Sequence, residues 1–459
     1  MACAVAVFSI KFAPMAHIRP FRAWRYTDSH GVEQNFSPLF DVVSPEQLEQ
    51  LYAMPENSIH VSVPISDDHV LDKWQDWKAR GVVAQDPLPA IYVYYQEFSL
   101  FGDEKKYVRK GFVSMIRIQQ PEVPTGSDII LHEGTISSSV ADRRRLLEKL
   151  QLNTAPTHGL YEDPDFSLEA IMDAYMVHPD SSYIDYQGVI NKLAIVQDRR
   201  DIARFQAVLA AKPVYLADGH HRLASSVALR EKALREQWPL PEDSMVHYHM
   251  MYLTNLCSDD LRILPIHRVF HLAELTYNPN PILGQLREYF DITDITFARE
   301  PIYQTVGNRP RAFGMVMGST QFLLELRPEI DPVRDIDLPL PDAVKNLDYT
   351  ILHYFVFDKV LGAAYLDQHA ADAIHYVKDY GVAVKQAVTW RNQLAFITRG
   401  TTMEQMMAVC HSGALMPQKS TYFFPKVVCG LVFGSIQDDE NNSPFDLGFR
   451  LPPAAATAP

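Results

Sequence analysis

Pro213-Val-Tyr-Leu-Ala-Asp-Gly-His-His-Arg222 is a short apolar run that ends abruptly in an acid, a glycine, two histidines and an arginine. Val214 to Ala217 carry the β-branched and aromatic character of a buried strand. Leu223, Val227 and Leu234, with Ala224 and Ala228 beside them, then repeat at helical spacing, while Glu231 and Arg235 stand four apart on the opposite face. The pattern predicts a strand, a tight turn at Asp218-Gly219 and a helix of about four turns. Gly219 allows a sharp turn or a close approach of backbone to ligand, and the free N–H groups at the start of a helix favour an anion. His220, His221 and Arg222 add donors at that point, and an arginine can grip a phosphate with two parallel hydrogen bonds. Taken singly, an Asp caps helices, a Gly makes turns and a His is commonly structural. The five together at a strand end point to a ligand site.

The chain has 459 residues, enough for a large core and two or three structural units. A net charge of −14 argues against general affinity for nucleic acid or an anionic membrane, and leaves room for a small basic pocket. Cys3, Cys257, Cys410 and Cys429 are widely spaced and form neither a disulfide framework nor a zinc ribbon, which fits a reducing cytoplasm. The apolar start lacks a basic n-region and a clear cleavage site, so residues 1–14 read as an extension outside the core, with Met15 an alternative start. The acid- and proline-rich stretch 329–342 predicts a linker at 331–345 between a main α/β nucleotide-binding portion, 15–330, and a C-terminal portion, 346–450. Residues 451–459 read as a disordered tail.

Along the chain, Arg19, Arg22 and Arg25 among Phe21, Trp24 and Tyr26 offer either a phosphate surface or cation–π packing. Ser37-Pro-Leu-Phe-Asp41-Val-Val-Ser44-Pro45 predicts a loop, a short strand and a helix capped by Ser44, with Asp41 a candidate acid or a turn residue. Residues 90–98 and 110–118 predict a β-hairpin. The run 129–135 ends in His132, Glu133 and Thr135, of which Glu133 suits a general base. Asp142 opens a helix through Leu150, 247–253 reads as a strand, Leu261–Arg268 is extended and ends in His267 and Arg268, and 349–361 reads as a buried helix. Met416-Pro-Gln-Lys419-Ser420-Thr421-Tyr-Phe-Phe-Pro425-Lys426 supplies two lysines and two hydroxyls that can clamp phosphate. Gly413 stands six before Lys419 as in a P-loop, but Gln418 and the prolines exclude that motif.

These stretches together resemble the DUF1015 family: Ile18–Tyr26, Phe40–Ser44, His132-Glu-Gly-Thr135, Leu216–Arg222, Leu264-Pro-Ile-His-Arg268 and Met416–Lys426 occur in its expected order. The chain departs from the family's usual Pro-Pro-Tyr-Asp-Val run at Ser37–Val42 and has Leu223 where a Tyr is common. The Asp-Gly-His-His-Arg element is similar to the phosphate-binding element of the ParB/sulfiredoxin-like superfamily, which includes free-serine kinases. The resemblance implies a mixed α/β (α+β) fold with a ParB/sulfiredoxin-like core, a strand-turn-helix phosphate site and an additional mixed sheet.

It also implies a kinase forming O-phosphoserine from free L-serine with ATP or ADP and Mg²⁺. Under that reading Gly219, His220, His221, Arg222, Lys419, Ser420, Thr421 and Lys426 bind nucleotide phosphates, and His132, Thr135, His267 and Arg268 bind substrate. Glu133, Asp218 and Asp41 are the catalytic carboxylates, and Asp218 also holds Mg²⁺. Two alternatives stay open: a ParB-like nucleotide-binding switch, and a metal-dependent phosphoesterase built on Asp218, His220 and His221. The expected partner is a small molecule, with no nucleic acid and no membrane, and homo-oligomerisation is open.

Overall fold

A computed structural model describes residues 16–27, 32–100, 103–118, 129–210, 212–272, 280–362, 374–389 and 393–441, so the extension and tail read at 1–14 and 451–459 lie outside the described residues. The architecture is mixed α/β. The chain divides into two units, one formed by Met1–Ile130, Thr135–Asp260 and Pro425–Pro459, the other by Leu131–Gly134 and Leu261–Phe424. The stretch 331–345 lies inside the second unit and is not an extended linker. Its prolines and acids start two one-turn helices, Pro332–Asp335 and Asp342–Lys345, and the Asp331 side chain caps the first by accepting the Val333 N–H.

The first unit is built on a nine-stranded mixed sheet. Its order is Ile129–Ile130, Val214–Asp218, Thr157–Tyr161, Tyr248–Asn255, Lys106–Arg117, Ile91–Ser99, Ile190–Val196 and Ser181–Ile184, with Ile18–Arg19 pairing Lys106–Arg117. The predicted hairpin is present as the antiparallel pair 91–99 and 106–117. Val214–Asp218 runs parallel to Ile129–Ile130 and antiparallel to Thr157–Tyr161, and its register slips between Leu216 and Asp218, so that Asp218 stands opposite His158. A bulge at a strand end re-aims the side chain that follows it. The main core contains Trp74 and Trp77, three apart on the helix Val70–Ala79, together with Tyr92, Tyr94, Met115, Met250 and Tyr252 from the sheet. Val427, Val428, Leu431, Val432 and Phe433 from the last part of the chain complete it.

Other local expectations resolve in physical terms. Ser44 caps the helix Pro45–Tyr52 in a capping box with Gln47. The residues before it form a turn in place of the expected strand, and Asp41 is exposed on that turn. The helix expected from Asp142 starts earlier, at Ser137, and runs to Leu150. Arg25 is held by Asp86, Arg22 donates to the Asp86 and Glu440 carbonyls, and Arg19 lies over the Tyr248 ring, so this cluster packs the fold. No described helix is long and apolar enough to cross a membrane.

The second unit holds a six-stranded antiparallel sheet in the order Phe290–Asp294, Thr320–Leu326, Ala312–Met317, Gln393–Ile397, His267–His271 and Ile374–Val377. The buried helix expected at 349–361 is present, and Leu352–Asp358 within it is wound as a π-helix. Phe355 and Phe357 pack into the core beside Phe270, Phe313 and Phe396.

Buried histidines tie both units to pH. His249 is hydrogen-bonded to Ser226 of the helix His220–Arg235 and to Thr157 of the neighbouring strand, and burial, with Arg222 adding to it, holds the imidazole down at about 3. Burial and then Arg109 hold His158 well below its usual value, while burial and Arg268 bring His267 to about 4 and His353 to about 3. Each group is neutral when folded and titrates near 6.5 when unfolded, so its stabilisation is complete above that value and is lost as pH falls from there toward the folded pKa. At pH 5 His249, His267 and His353 each cost about 2 kcal/mol. The urea midpoint is therefore expected to fall steeply between pH 7 and pH 5, and a flat profile would contradict neutral burial.

Candidate anion-binding site

Gly219 is the N-cap of the helix His220–Arg235 and adopts φ +93°, and no side chain caps that helix end. A Cβ at this position would stand 2.5 Å from Thr157 Cγ2 and 2.8 Å from Arg222 Nη2, so only glycine fits the close approach of strand and helix. On one side of this turn Asp218 ends its strand, and on the other Arg222 lies one helical turn along. Arg222 Nη2 donates to Asp218 Oδ2 at 3.1 Å, and its Nη1 donates to the Pro156 carbonyl at 2.9 Å. Lys426 Nζ donates to Asp218 Oδ1. The Asp218 side chain is 17% exposed and that of Lys426 7%. Burial alone would raise the Asp218 carboxyl, but Lys426 and Arg222, with a smaller contribution from His158, outweigh it and hold the group well below the usual carboxylate range.

One carboxylate thus faces two cations at the positive end of a 16-residue helix. The surplus of positive charge suits an anion. The same geometry does not fit the Mg²⁺ expected at Asp218, because each of its oxygens already accepts from a cationic donor. Among the described residues no group of three or more His, Cys, Asp or Glu side chains is arranged to hold a metal ion. The phosphoesterase alternative loses its ligand set on the same observation.

The histidines separate in role. His221 Nε2 accepts the Ile136 N–H at 3.0 Å, which anchors the residue before the helix Ser137–Leu150. That nitrogen is unprotonated in this arrangement and is not offered to a phosphate. His220 is buried at the first helical position. Asp41 and Thr135 are exposed, and among the described residues no hydrogen bond or ion pair joins Asp41 to Asp218.

The second unit gathers the remaining expected residues. The Leu131–Gly134 segment pairs with Met416, whose N–H donates to the His132 carbonyl at 2.7 Å. Glu133 Oε1 accepts the Lys419 N–H at 3.2 Å, and His132 Nε2 lies 3.0 Å from the Thr421 hydroxyl. Lys419 adopts φ +58°, a left-handed conformation unusual for a side-chain-bearing residue. Arg268, fully buried between the rings of Tyr349 and Tyr376 at 4.1 and 4.8 Å, holds the Lys419 carbonyl at 2.9 Å. His267 Nδ1 accepts the Thr398 N–H, and the Ser420 hydroxyl donates to the Pro417 carbonyl within its own turn. These contacts make Arg268, His267 and Ser420 builders of the cluster, with Glu133 and Lys419 at its centre.

The family described as "Protein of unknown function (DUF1015)" matches residues 18–350. The chain belongs to the DUF1015 family. Among solved structures, a free serine kinase in complex with AMP is similar to this DUF1015 protein with a TM-score of 0.33 at 12% identity, over 71% of this chain and 99% of that one. A conserved hypothetical protein from Pyrococcus furiosus gives 0.31 at 12% identity over 64% and 87%. SbnI with a C-terminal truncation, from Staphylococcus aureus, gives 0.31 at 11% over 68% and 82%. Likenesses this distant carry no argument about function. No curated protein matches the chain.

Sequence reading of this DUF1015 protein missed Thr157, His158, Gln96, Arg109 and Gln187. The first two border the Gly219 turn, and the other three surround Lys426. A lone polar residue on a strand, or in a turn as Gln187 is, carries no local signal of such a role. Only the apolar neighbours of Arg109, Val108 and Phe112 among them, mark it as a buried charge.

Proposed function

We propose that this DUF1015 protein is a small-molecule phosphotransferase that holds the phosphates of ATP or ADP at the Gly219 turn. Free L-serine is the acceptor this reading favours, giving O-phosphoserine, by the resemblance of the Asp218–Arg222 element to that of free-serine kinases. The observation that carries the reading is the pairing of one carboxylate with two cations at an uncapped helix N-terminus. Phosphoryl transfer asks the protein chiefly to position the phosphate and neutralise its charge. A phosphate group, more highly charged than one carboxylate, competes with Asp218 for the Lys426 and Arg222 donors and gains main-chain N–H groups of the first helical turn as well. Asp218 keeps both cations in place before the nucleotide arrives and takes them back when it leaves.

The test is purified protein incubated with Mg²⁺, ATP or ADP and a pool of hydroxyl metabolites that includes L-serine, with phosphorylated products followed by mass spectrometry. Product from one acceptor, lost in Lys426→Met with the fold intact, is the expected result. Nucleotide bound with no product from any acceptor would overturn the kinase and leave the ParB-like switch. Glu133→Gln in the same assay tests whether the base expected from the sequence belongs to this reaction.

A further inference from the structure

Lys426 reaches Asp218 from a main chain that is gripped by side chains outside the phosphate site. Arg109 Nη2 donates to the Pro425 carbonyl at 2.5 Å, Gln96 Nε2 donates to the Lys426 carbonyl at 3.3 Å, and Gln187 Nε2 donates to the same carbonyl at 3.2 Å. Gln187 Oε1 accepts the Lys426 N–H at 3.3 Å. Every polar main-chain group from the Pro425 carbonyl to the Lys426 carbonyl is therefore held by a side chain, with no strand or helix ladder involved.

Arg109 is 1% exposed, and its hydrogen bonds go to neutral acceptors, the Pro425 carbonyl and Gln96 Oε1, while its guanidinium lies 5.4 Å from the centre of the Tyr252 ring. A cation buried without a bonded carboxylate is expensive, and an apolar side chain would fill the space at less cost. Gln96 and Gln187 are themselves fixed: Gln96 Nε2 reaches Asn191 Oδ1 at 3.3 Å, Gln187 Nε2 reaches Asp185 Oδ2 at 3.3 Å, and Asn191 Nδ2 reaches the same oxygen at 2.9 Å. A lysine side chain loses much of its rotamer freedom when it is ordered. Holding its main chain leaves only the side-chain torsions to settle.

We infer that Arg109, Gln96 and Gln187 are positioning residues that clamp the Pro425–Lys426 main chain so that the Lys426 ammonium stands at Asp218. The role of Lys426 toward a nucleotide phosphate rests on the reading given under Proposed function; the clamp itself does not. The charged and titratable groups facing Asp218 are Lys426, Arg222 and His158, so release of Lys426 leaves Arg222 as its one bonded cation.

The experiment uses the full chain as wild type, Gln187→Ala and Arg109→Met, with the Asp218 carboxyl carbon followed by NMR in aspartate-labelled protein and assigned with Asp218→Asn. ADP affinity is measured by calorimetry on the same samples. In wild type Lys426 and Arg222 keep Asp218 ionised to below the usual aspartate range. In both variants its titration is expected to rise into the accessible window, and ADP binding to weaken by about tenfold. Gln187, half-buried on a loop, keeps the test open if Arg109→Met does not fold. Asp218 unchanged in folded Gln187→Ala would overturn the clamp. A titration that moves in a protein binding no ADP would support the clamp and remove the phosphate reading.

Discussion

Asp218→Asn is expected to lower phosphoryl transfer by about 10²-fold while tightening nucleotide binding, because the two effects act through different states. Asparagine keeps the shape of the side chain and removes the charge that competes with phosphate for Lys426 and Arg222. Bound phosphate then meets Lys426 and Arg222 without the competing carboxylate, and affinity is expected to rise. The same cations lose the group that orders them, and displacement by about 1 Å of a phosphate ligand is enough for a loss of this size. Breaking a largely buried pair also costs about 3 kcal/mol of stability. Single-turnover rate, nucleotide affinity and melting temperature measured on one preparation separate the three effects. A fall in affinity in place of a rise would return Asp218 to the metal-holding role that its two bonded cations argue against.

Gly219→Ala is the second large effect. A left-handed residue with a Cβ is strained by about 1–2 kcal/mol, and here the Cβ also meets Thr157 and the Arg222 guanidinium. Either the turn opens or Arg222 moves, and both disturb the anion site. A total of about 3 kcal/mol is expected, a drop of several degrees in melting temperature, together with loss of nucleotide binding. Gly81→Ala is the matched control. Gly81 has φ +69°, and a methyl group added there would meet nothing within 4 Å, so this variant should show the strain with binding intact. Equal loss of binding in both variants would remove the steric argument for Gly219.

Local pattern was enough to read the strand Val214–Asp218, the helix His220–Arg235 and the turn between them, since apolar spacing and a glycine act over a few residues. The hairpin and the Ser44 cap were legible for the same reason. What neutralises Asp218 was not: Arg222 lies one turn away, but Lys426 arrives from 208 positions further along the chain, and without it an Asp beside two histidines reads as a metal ligand. His221 looked like a phosphate donor until the Ile136 N–H gave its ring nitrogen another task. The division into units was hidden too. Prolines and acids at 331–345 mimic a linker, whereas the chain passes between units on either side of Leu131–Gly134 and again near residues 261 and 424, where no linker composition marks the crossing.

That division has a consequence for how the protein is made. The first unit is interrupted at Asp260 and resumes only at Pro425. At ~5–20 residues per second, a ribosome needs roughly 10–30 s to cross the intervening segment. Throughout that interval the nascent first unit lacks Val427, Val428, Leu431, Val432 and Phe433, and the apolar surfaces they cover face water. Such surfaces invite aggregation, so chaperone capture belongs to this stage of synthesis. The lysine that pairs with Asp218 is delivered by the same late segment, so the proposed anion site is completed only as the core closes.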